Sequence, residues 1–120
     1  MEHQKQKTVG AWGEQVAAKA LQKKGYFIRD RNFSCRFGEI DLIAENQGYL
    51  VFVEVKTRKN ADFATGAEAV TFAKQRRIIR TAEYWLLRHA NGKQPRFDVI
   101  EVYIDAGMPV LRHLENAFTL

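Results

Sequence analysis

Asp41, Glu54 and Lys56 are the residues whose types and spacing suit chemistry. Glu54 and Lys56 sit near the end of the run Leu50 to Arg58. Its strict alternation sets Val51, Val53 and Val55 on one face of a strand and Phe52, Glu54 and Lys56 on the other. Charges at the end of an apolar strand are costly unless paired or bound to something. A solvated strand end with an internal Glu-Lys pair is the plain account of such a motif. The strand before it, Glu39 to Ala44, adds a second carboxylate, with Glu39, Asp41 and Ile43 on one face and Ile40, Leu42 and Ala44 on the other. Glu45-Asn46-Gln47-Gly48 between them has turn chemistry. A two-residue or four-residue loop there is expected to pair Ala44 with Tyr49, Leu42 with Val51 and Asp41 with Phe52, which puts Asp41 on the face of Glu54 and diagonal to it. An odd loop without a bulge would turn Asp41 to the opposite face.

Hard cations such as Mg²⁺ (or Mn²⁺) take oxygen ligands in octahedral geometry and keep some of their water, so Asp41, Glu54 and the carbonyl of Val55 suit one. Such a cation can acidify water, offset charge building on a phosphodiester and orient in-line attack. Lys56 beside it would hold or polarise the attacking water and meet the phosphate. Glu14, on the preceding helix, borders the buried stripe and is able to look inward at the sheet edge or to turn to solvent.

Other chemistries have less support. There is no Gly-rich phosphate loop or dinucleotide fingerprint, and Cys35 is the single cysteine, which leaves too few thiolates for a zinc cluster and no internal disulfide. That usage fits a reducing compartment. His3, His89 and His113 are scattered without metal-ligand spacing and read as surface or boundary histidines. A glycosidase pair of carboxylates stays open on charges alone, but would not explain the adjacent lysine or a basic helix.

The elements that must hold these residues follow from periodicity. Thr8 to Lys24 carries Val9, Trp12, Val16, Ala17, Ala20 and Leu21 at helical spacing, and Gly25 supplies a stop. Tyr26 to Arg31 reads as a strand and Asn32 to Gly38 as a polar loop, with Arg29, Arg31 and Arg36 forming a basic run. After Arg58, a loop from Lys59 to Gly66 leads to a long helix over Ala67 to His89. Phe72, Ile78, Ile79, Ala82, Trp85 and Leu86 form its buried stripe, while Lys74, Arg77 and Thr81 lie on another face. That basic face is either solvated or carries phosphates. Asn91 to Pro95 breaks the helix, Phe97 to Ile104 forms a fourth strand, Asp105 to Pro109 turns the chain, and Val110 to Phe118 returns as a fifth. The 120 residues form one domain, with residues 1–7 expected as a flexible N-terminus.

The hydrophobic fraction of 46% fits a packed globular protein. The polar N-terminus has no apolar signal core and no apolar run reaches membrane-spanning length, so a cytoplasmic protein without a membrane partner is expected. A net charge of +5 favours an anionic partner, with nucleic acid the first candidate. Arg31, Arg36, Arg58, Lys74 and Arg77 are the candidate phosphate contacts.

Asp41 followed by Glu54-Val55-Lys56 on the next strand resembles the core of the PD-(D/E)XK nuclease superfamily, whose element order is the one read here. Gly13-Glu14, Gly38 to Ala44, Val51 to Arg58 and Arg96-Phe97-Asp98-Val99 resemble the bacterial YraN-like family, which is regarded as similar to archaeal Holliday junction resolvases. The resemblance covers nearly the whole chain. It implies an α/β fold of restriction-endonuclease-like type, with three α/β/α layers, a central mixed sheet and the order α-β-β-β-α-β-β. It also implies metal-side carboxylates at Glu14, Asp41 and Glu54, a catalytic lysine at Lys56, and a Mg²⁺-dependent endonuclease acting on DNA, with branched or junction DNA as substrate. Ile40 stands where the superfamily often has proline. Some superfamily members bind without cutting, so a catalytically silent nucleic-acid-binding module is the alternative. Junction resolvases work as symmetric pairs, which makes a homodimer the expected assembly.

Overall fold

The computed structural model describes residues 2–58 and 70–119, with side chains from Val9 onward. Helix α1 (Glu2–Lys23) is followed by β1 (Phe27–Cys35), β2 (Gly38–Glu45) and β3 (Tyr49–Thr57), then α2 (Phe72–His89), β4 (Gln94–Asp105) and β5 (Met108–Phe118). The expected loop at 59–66 and the expected helix start at 67 lie outside the described residues. Among those described, no helix is long and apolar enough to cross a membrane.

The five strands form one mixed sheet in sequence order, antiparallel except where β3 and β4 run parallel across the α2 crossover. Alternation gives the sheet two apolar faces. Leu42, Ala44, Val51, Val53, Ile100 and Val102 meet Ala17, Ala18 and Leu21 of α1. Ile43, Leu50, Phe52, Phe97 and Val99 meet Ile78, Ala82 and Trp85 of α2. The helices therefore cover opposite faces, which makes the three-layer α/β/α sandwich that the resemblance implies. Phe52 anchors the second layer, edge-on to Trp85 at 5.9 Å and stacked on Phe97 at 5.6 Å.

Several boundaries differ from the periodicity reading. α1 begins at Glu2, so residues 2–7 are helical. It ends as expected at Gly25 (φ 94°), where Tyr26 N donates to Leu21 O and Gly25 N to Gln22 O, the two bonds of a Schellman cap. The segment read as a polar loop is mostly strand: β1 runs on to Cys35 and only Arg36 and Phe37 turn. Polar side chains there mark an edge strand whose outer side meets water, a pattern that composition does not separate from a loop. α2 starts at Phe72 behind an N-cap, Thr71, whose hydroxyl accepts from Lys74 N. Phe72 is consequently 71% exposed instead of buried. Thr81, placed on the polar face by its type, is fully buried, and its hydroxyl donates to Arg77 O at 2.8 Å.

Candidate active site

The β2–β3 hairpin closes on Asn46, whose side-chain oxygen accepts from Gly48 N and Tyr49 N, while its own N donates to Tyr49 O. The tight turn is thus Gln47-Gly48, and the register is Leu42 with Val53, Ile43 with Phe52, Ala44 with Val51. This is a shift of two residues from the expected pairing, so the parity holds while the geometry changes: continued one step past its last pair, the register would set Asp41 opposite Glu54 and not diagonal to it.

The β2–β3 ladder stops at Leu42 and Val53, although β2 stays paired with β1 to Gly38 and β3 with β4 to Thr57. The sheet therefore parts at this end. Val55 N, which would otherwise lose its ladder acceptor, donates to Asp41 Oδ2 at 2.8 Å. Asp41 is held at the root of the cleft by the strand that carries Glu54 and Lys56. Glu54 is buried, at 6% exposure, and its Oε2 lies 2.6 Å from Lys74 Nζ and 3.6 Å from Lys56 Nζ.

Glu14 reaches the same place from α1, where Asn32 and Asp41 lie beside it. Gly13 allows the approach: a Cβ there would lie 2.1 Å from Thr57 Oγ1 on β3. Gly13→Ala is expected to lower stability by about 1–2 kcal/mol, because overpacking outweighs a helix-propensity gain of ~1 kcal/mol. Thr57→Ala in the same chain should restore most of the loss in a urea titration. A single variant as stable as wild type would sink this account of the contact.

Three carboxylates crowd into a half-buried cleft, and burial with like charge raises the proton affinity of Asp41 and of Glu14. Burial first, then the charge of Glu54, pushes Asp41 up from 3.8 to about 7. Burial also raises Glu14, against its hydrogen bonds to Asn32 and Asp41. Lys56 is lowered, by burial and then by the neighbouring Lys74 ammonium. Burial pulls Lys74 down as well, but its bond and charge contact with Glu54 outweigh this and leave it raised.

Glu14, Asp41, Glu54, Lys56 and the Val55 backbone thus stand together, as the sequence suggested. Of the candidate phosphate contacts, Lys74 is an immediate neighbour of Glu54, and Arg77 stands one helical turn along α2 from it. Arg58 lies two residues beyond Lys56 and pairs with Glu101. Arg31 is exposed on β1, opposite Leu42, and Arg36 sits in the β1–β2 turn with its guanidinium over the Phe37 ring. Arg36 lines a shallow pocket of about 460 Å³ with Phe37, Arg80 and Tyr84. Arg29 of the same basic run is spent on structure, paired with Glu45 at 2.7 Å. One site neighbour escapes a reading by residue type: Glu101 is visible only as a lone charge in the apolar run Val99 to Val102. Lys74, named from the sequence as a phosphate contact, is found paired with Glu54, a partner the sequence did not suggest.

Among the described residues, no group of three His, Cys, Asp or Glu side chains forms a ready metal cage. The available donors are Asp41, Glu54 and the Val55 carbonyl. Such a sparse oxygen set, in a cleft with crowded negative charge, fits a hard cation that retains water.

The model of the uncharacterised protein family UPF0102 matches residues 13–102. A UPF0102 protein of Caldanaerobacter subterraneus subsp. tengcongensis is 49% identical over 117 residues, covering 93% of this chain and 95% of the relative. One from Clostridium botulinum (strain Loch Maree / Type A3) is 43% identical over 122 residues, covering 98% and 99%. One from Rhodococcus opacus is 47% identical over 112 residues, covering 92% and 95%. With both the family model and relatives of this similarity spanning the acidic cleft, the chain belongs to UPF0102, the YraN-like family its motifs resemble.

Proposed function

We propose that this protein is a Mg²⁺-dependent endonuclease hydrolysing phosphodiester bonds in DNA, with branched or four-way-junction DNA as its preferred substrate. The observation that carries the reading is the convergence of Glu14, Asp41, Glu54 and Lys56 at the point where β2 and β3 part. Asp41, Glu54 and the Val55 carbonyl would hold the cation. When bound, it supplies positive charge against the phosphoryl oxygens and acidifies water.

The chain's own groups do the rest. Lys56 faces the cleft with a lowered proton affinity, so its ammonium can orient the attacking water and meet a phosphoryl oxygen. Water adds in line at phosphorus as the opposite P–O ester bond breaks. Glu14 stands beside Asp41 and would brace it by sharing a proton with it. Lys74 and Arg77 continue a positive track along α2 for flanking phosphates. A two-fold junction would be met by a symmetric pair of chains.

One observation favours a second reading. Lys74 Nζ stands 2.6 Å from Glu54 Oε2, so an ammonium neutralises the carboxylate that the cation would use. A nucleic-acid-binding module with a silent site would look the same.

Cleavage of a labelled four-way junction, with duplex and single-stranded controls, in Mg²⁺, Mn²⁺ and EDTA separates the two. Metal-dependent cutting is expected, falling at least ~100-fold in Glu54→Ala and Lys56→Ala, the scale of losing groups that act on the transition state. A Glu54→Ala variant that still cuts would falsify the mechanism. Binding that is steeply salt-dependent, indifferent to Mg²⁺ and never followed by cutting supports the silent module. No binding of any nucleic acid at low salt leaves the acidic cluster as internal ion pairing.

A further inference from the structure

We infer that Glu101 is a positioning residue that fixes Arg58 as a fork for a backbone phosphate of the nucleic acid next to Lys56. The inference rests on the nucleic-acid reading above and adds to it a phosphate subsite and the residue that builds it.

Glu101 lies in the apolar run of β4 and is 0% exposed. Parallel pairing places it opposite Lys56 on β3, and antiparallel pairing places it opposite Arg112 on β5. Alternation puts it on the face of Val99, the α2 side of the sheet, which is also the face of Glu54. Its Oε2 accepts from Arg58 Nε at 2.9 Å. Its Oε1 has no hydrogen-bond partner among the described residues and lies 3.8 Å from Arg112 Nη1.

Stability does not explain this carboxylate. A buried ion pair is often no better than apolar side chains of the same volume, and a buried oxygen without a donor is a cost. What Glu101 does achieve is orientation. Arg58 is anchored twice to β4, by Nε on Glu101 and by its backbone N on Val102 O at 2.7 Å. Its terminal amino groups make no hydrogen bond or ion pair among the described residues, and the side chain is 29% exposed. A guanidinium held by Nε with its two amino groups free is arranged for bidentate contact with phosphate. Lys56 near the end of β3 and Arg58 just past it then present positive charge beside the acidic cluster. Glu101 itself is sealed from solvent, so it acts through Arg58.

The test is anisotropy of a labelled four-way junction with the full chain in EDTA, where no cutting is needed, over roughly 50–200 mM salt. Arg58→Ala is expected to weaken binding about 10-fold and to make the slope of log K against log salt shallower by about one. Arg58→Lys should also weaken it, since a lysine cannot use one nitrogen as anchor and leave a fork free. Glu101→Gln should lose several-fold, and the double variant with Arg58→Ala should lose no more than Arg58→Ala alone. Unchanged affinity and slope in Arg58→Ala overturns the inference, as do losses that add independently. If Glu101→Gln fails to fold, the Arg58→Lys and Arg58→Ala pair decides by the same criteria. A wild type that never cuts removes the nuclease reading alone. A wild type that binds no nucleic acid at low salt removes both.

Discussion

Asp98→Ala is expected to destabilise the protein by about 3–5 kcal/mol, the usual cost of removing one partner of a buried ion pair. Asp98 is 0% exposed, and its two oxygens accept from Arg96 Nε at 2.9 Å, Arg96 Nη2 at 2.8 Å, His113 Nε2 at 2.7 Å and Asn116 N at 2.9 Å. His113 Nδ1 faces Lys24 Nζ at 2.9 Å, so the ring accepts from the ammonium and gives its Nε2 hydrogen to Asp98. Arg96 Nη2 also donates to Tyr26 OH at 2.6 Å, and its guanidinium lies over the Tyr49 ring. Truncating Asp98 strands a buried guanidinium, an imidazole and a backbone N–H together. With total stabilities of about 5–15 kcal/mol, this variant should melt about 10–20 °C lower.

Two controls separate the charge from the packing. Asp98→Asn should lose less, because one acceptor oxygen survives. Arg96→Met with Asp98→Leu should recover much of the loss, since apolar replacement of the whole pair removes the stranded charge. The Asp98 carboxyl is held low: burial opposes ionisation, but bonds from His113, Arg96 and Asn116 outweigh it. The network's contribution is therefore present above about pH 4 and fades as acid protonates the carboxylate. A melt of Asp98→Ala that matches wild type at neutral pH would show that the network carries no such load.

The Arg96-Phe97-Asp98-Val99 motif, which the sequence set beside the acidic motifs, thus does a different job. Arg96 and Asp98 project to the α1 face and tie β4 to Tyr26, Lys24 and β5, whereas Glu54 projects to the α2 face. A motif in one dimension does not say which face or which end of a sheet it occupies. The acidic cluster was legible because a hairpin fixes parity: any even loop sets Asp41 and Glu54 on one face, whichever residues make the turn. The parting of β2 from β3 was not legible, since it depends on which neighbour each strand keeps. The partners that α2 brings were not legible either. Lys74 meets Glu54 only because α2 crosses above β3, and Thr81 is buried only because Gly38, with a Cβ position 3.2 Å from its hydroxyl, lets the helix come close. The sequence offered Lys74 as a phosphate contact and set Thr81 on the same polar face, so neither inward contact was read from it.

Asp41→Asn is expected to make the metal-free protein more stable at pH 8 and to leave it nearly unchanged at pH 4. In the wild type, Asp41 is raised from 3.8 to about 7 by burial and then by the charge of Glu54. Below about pH 4 the carboxyl is protonated in folded and unfolded chains alike, so it contributes no pH-dependent term. Between about 4 and 7 the unfolded chain has released the proton while the folded chain keeps it, and stability falls as pH rises. Above about 7 the folded protein bears the full cost of an ionised carboxylate next to Glu54 and Glu14. A shift of this size corresponds to at most about 4 kcal/mol at ~1.4 kcal/mol per pKa unit. Relaxation and the coupling to Glu54 reduce the expected gain to about 1–3 kcal/mol. Asparagine keeps an oxygen for Val55 N, so the local bond survives. Urea titrations in EDTA from pH 4 to 8 measure the difference, and parallel pH profiles for the two proteins would show that Asp41 is not strained by its neighbours. Adding Mg²⁺ at pH 8 should then stabilise wild type, because ligand binding to the folded state shifts the equilibrium, and should do little for Asp41→Asn. A cleft that is destabilised when empty and relieved by a cation is what a metal-dependent site requires, and a Mg²⁺ response that survives the substitution would place the cation elsewhere.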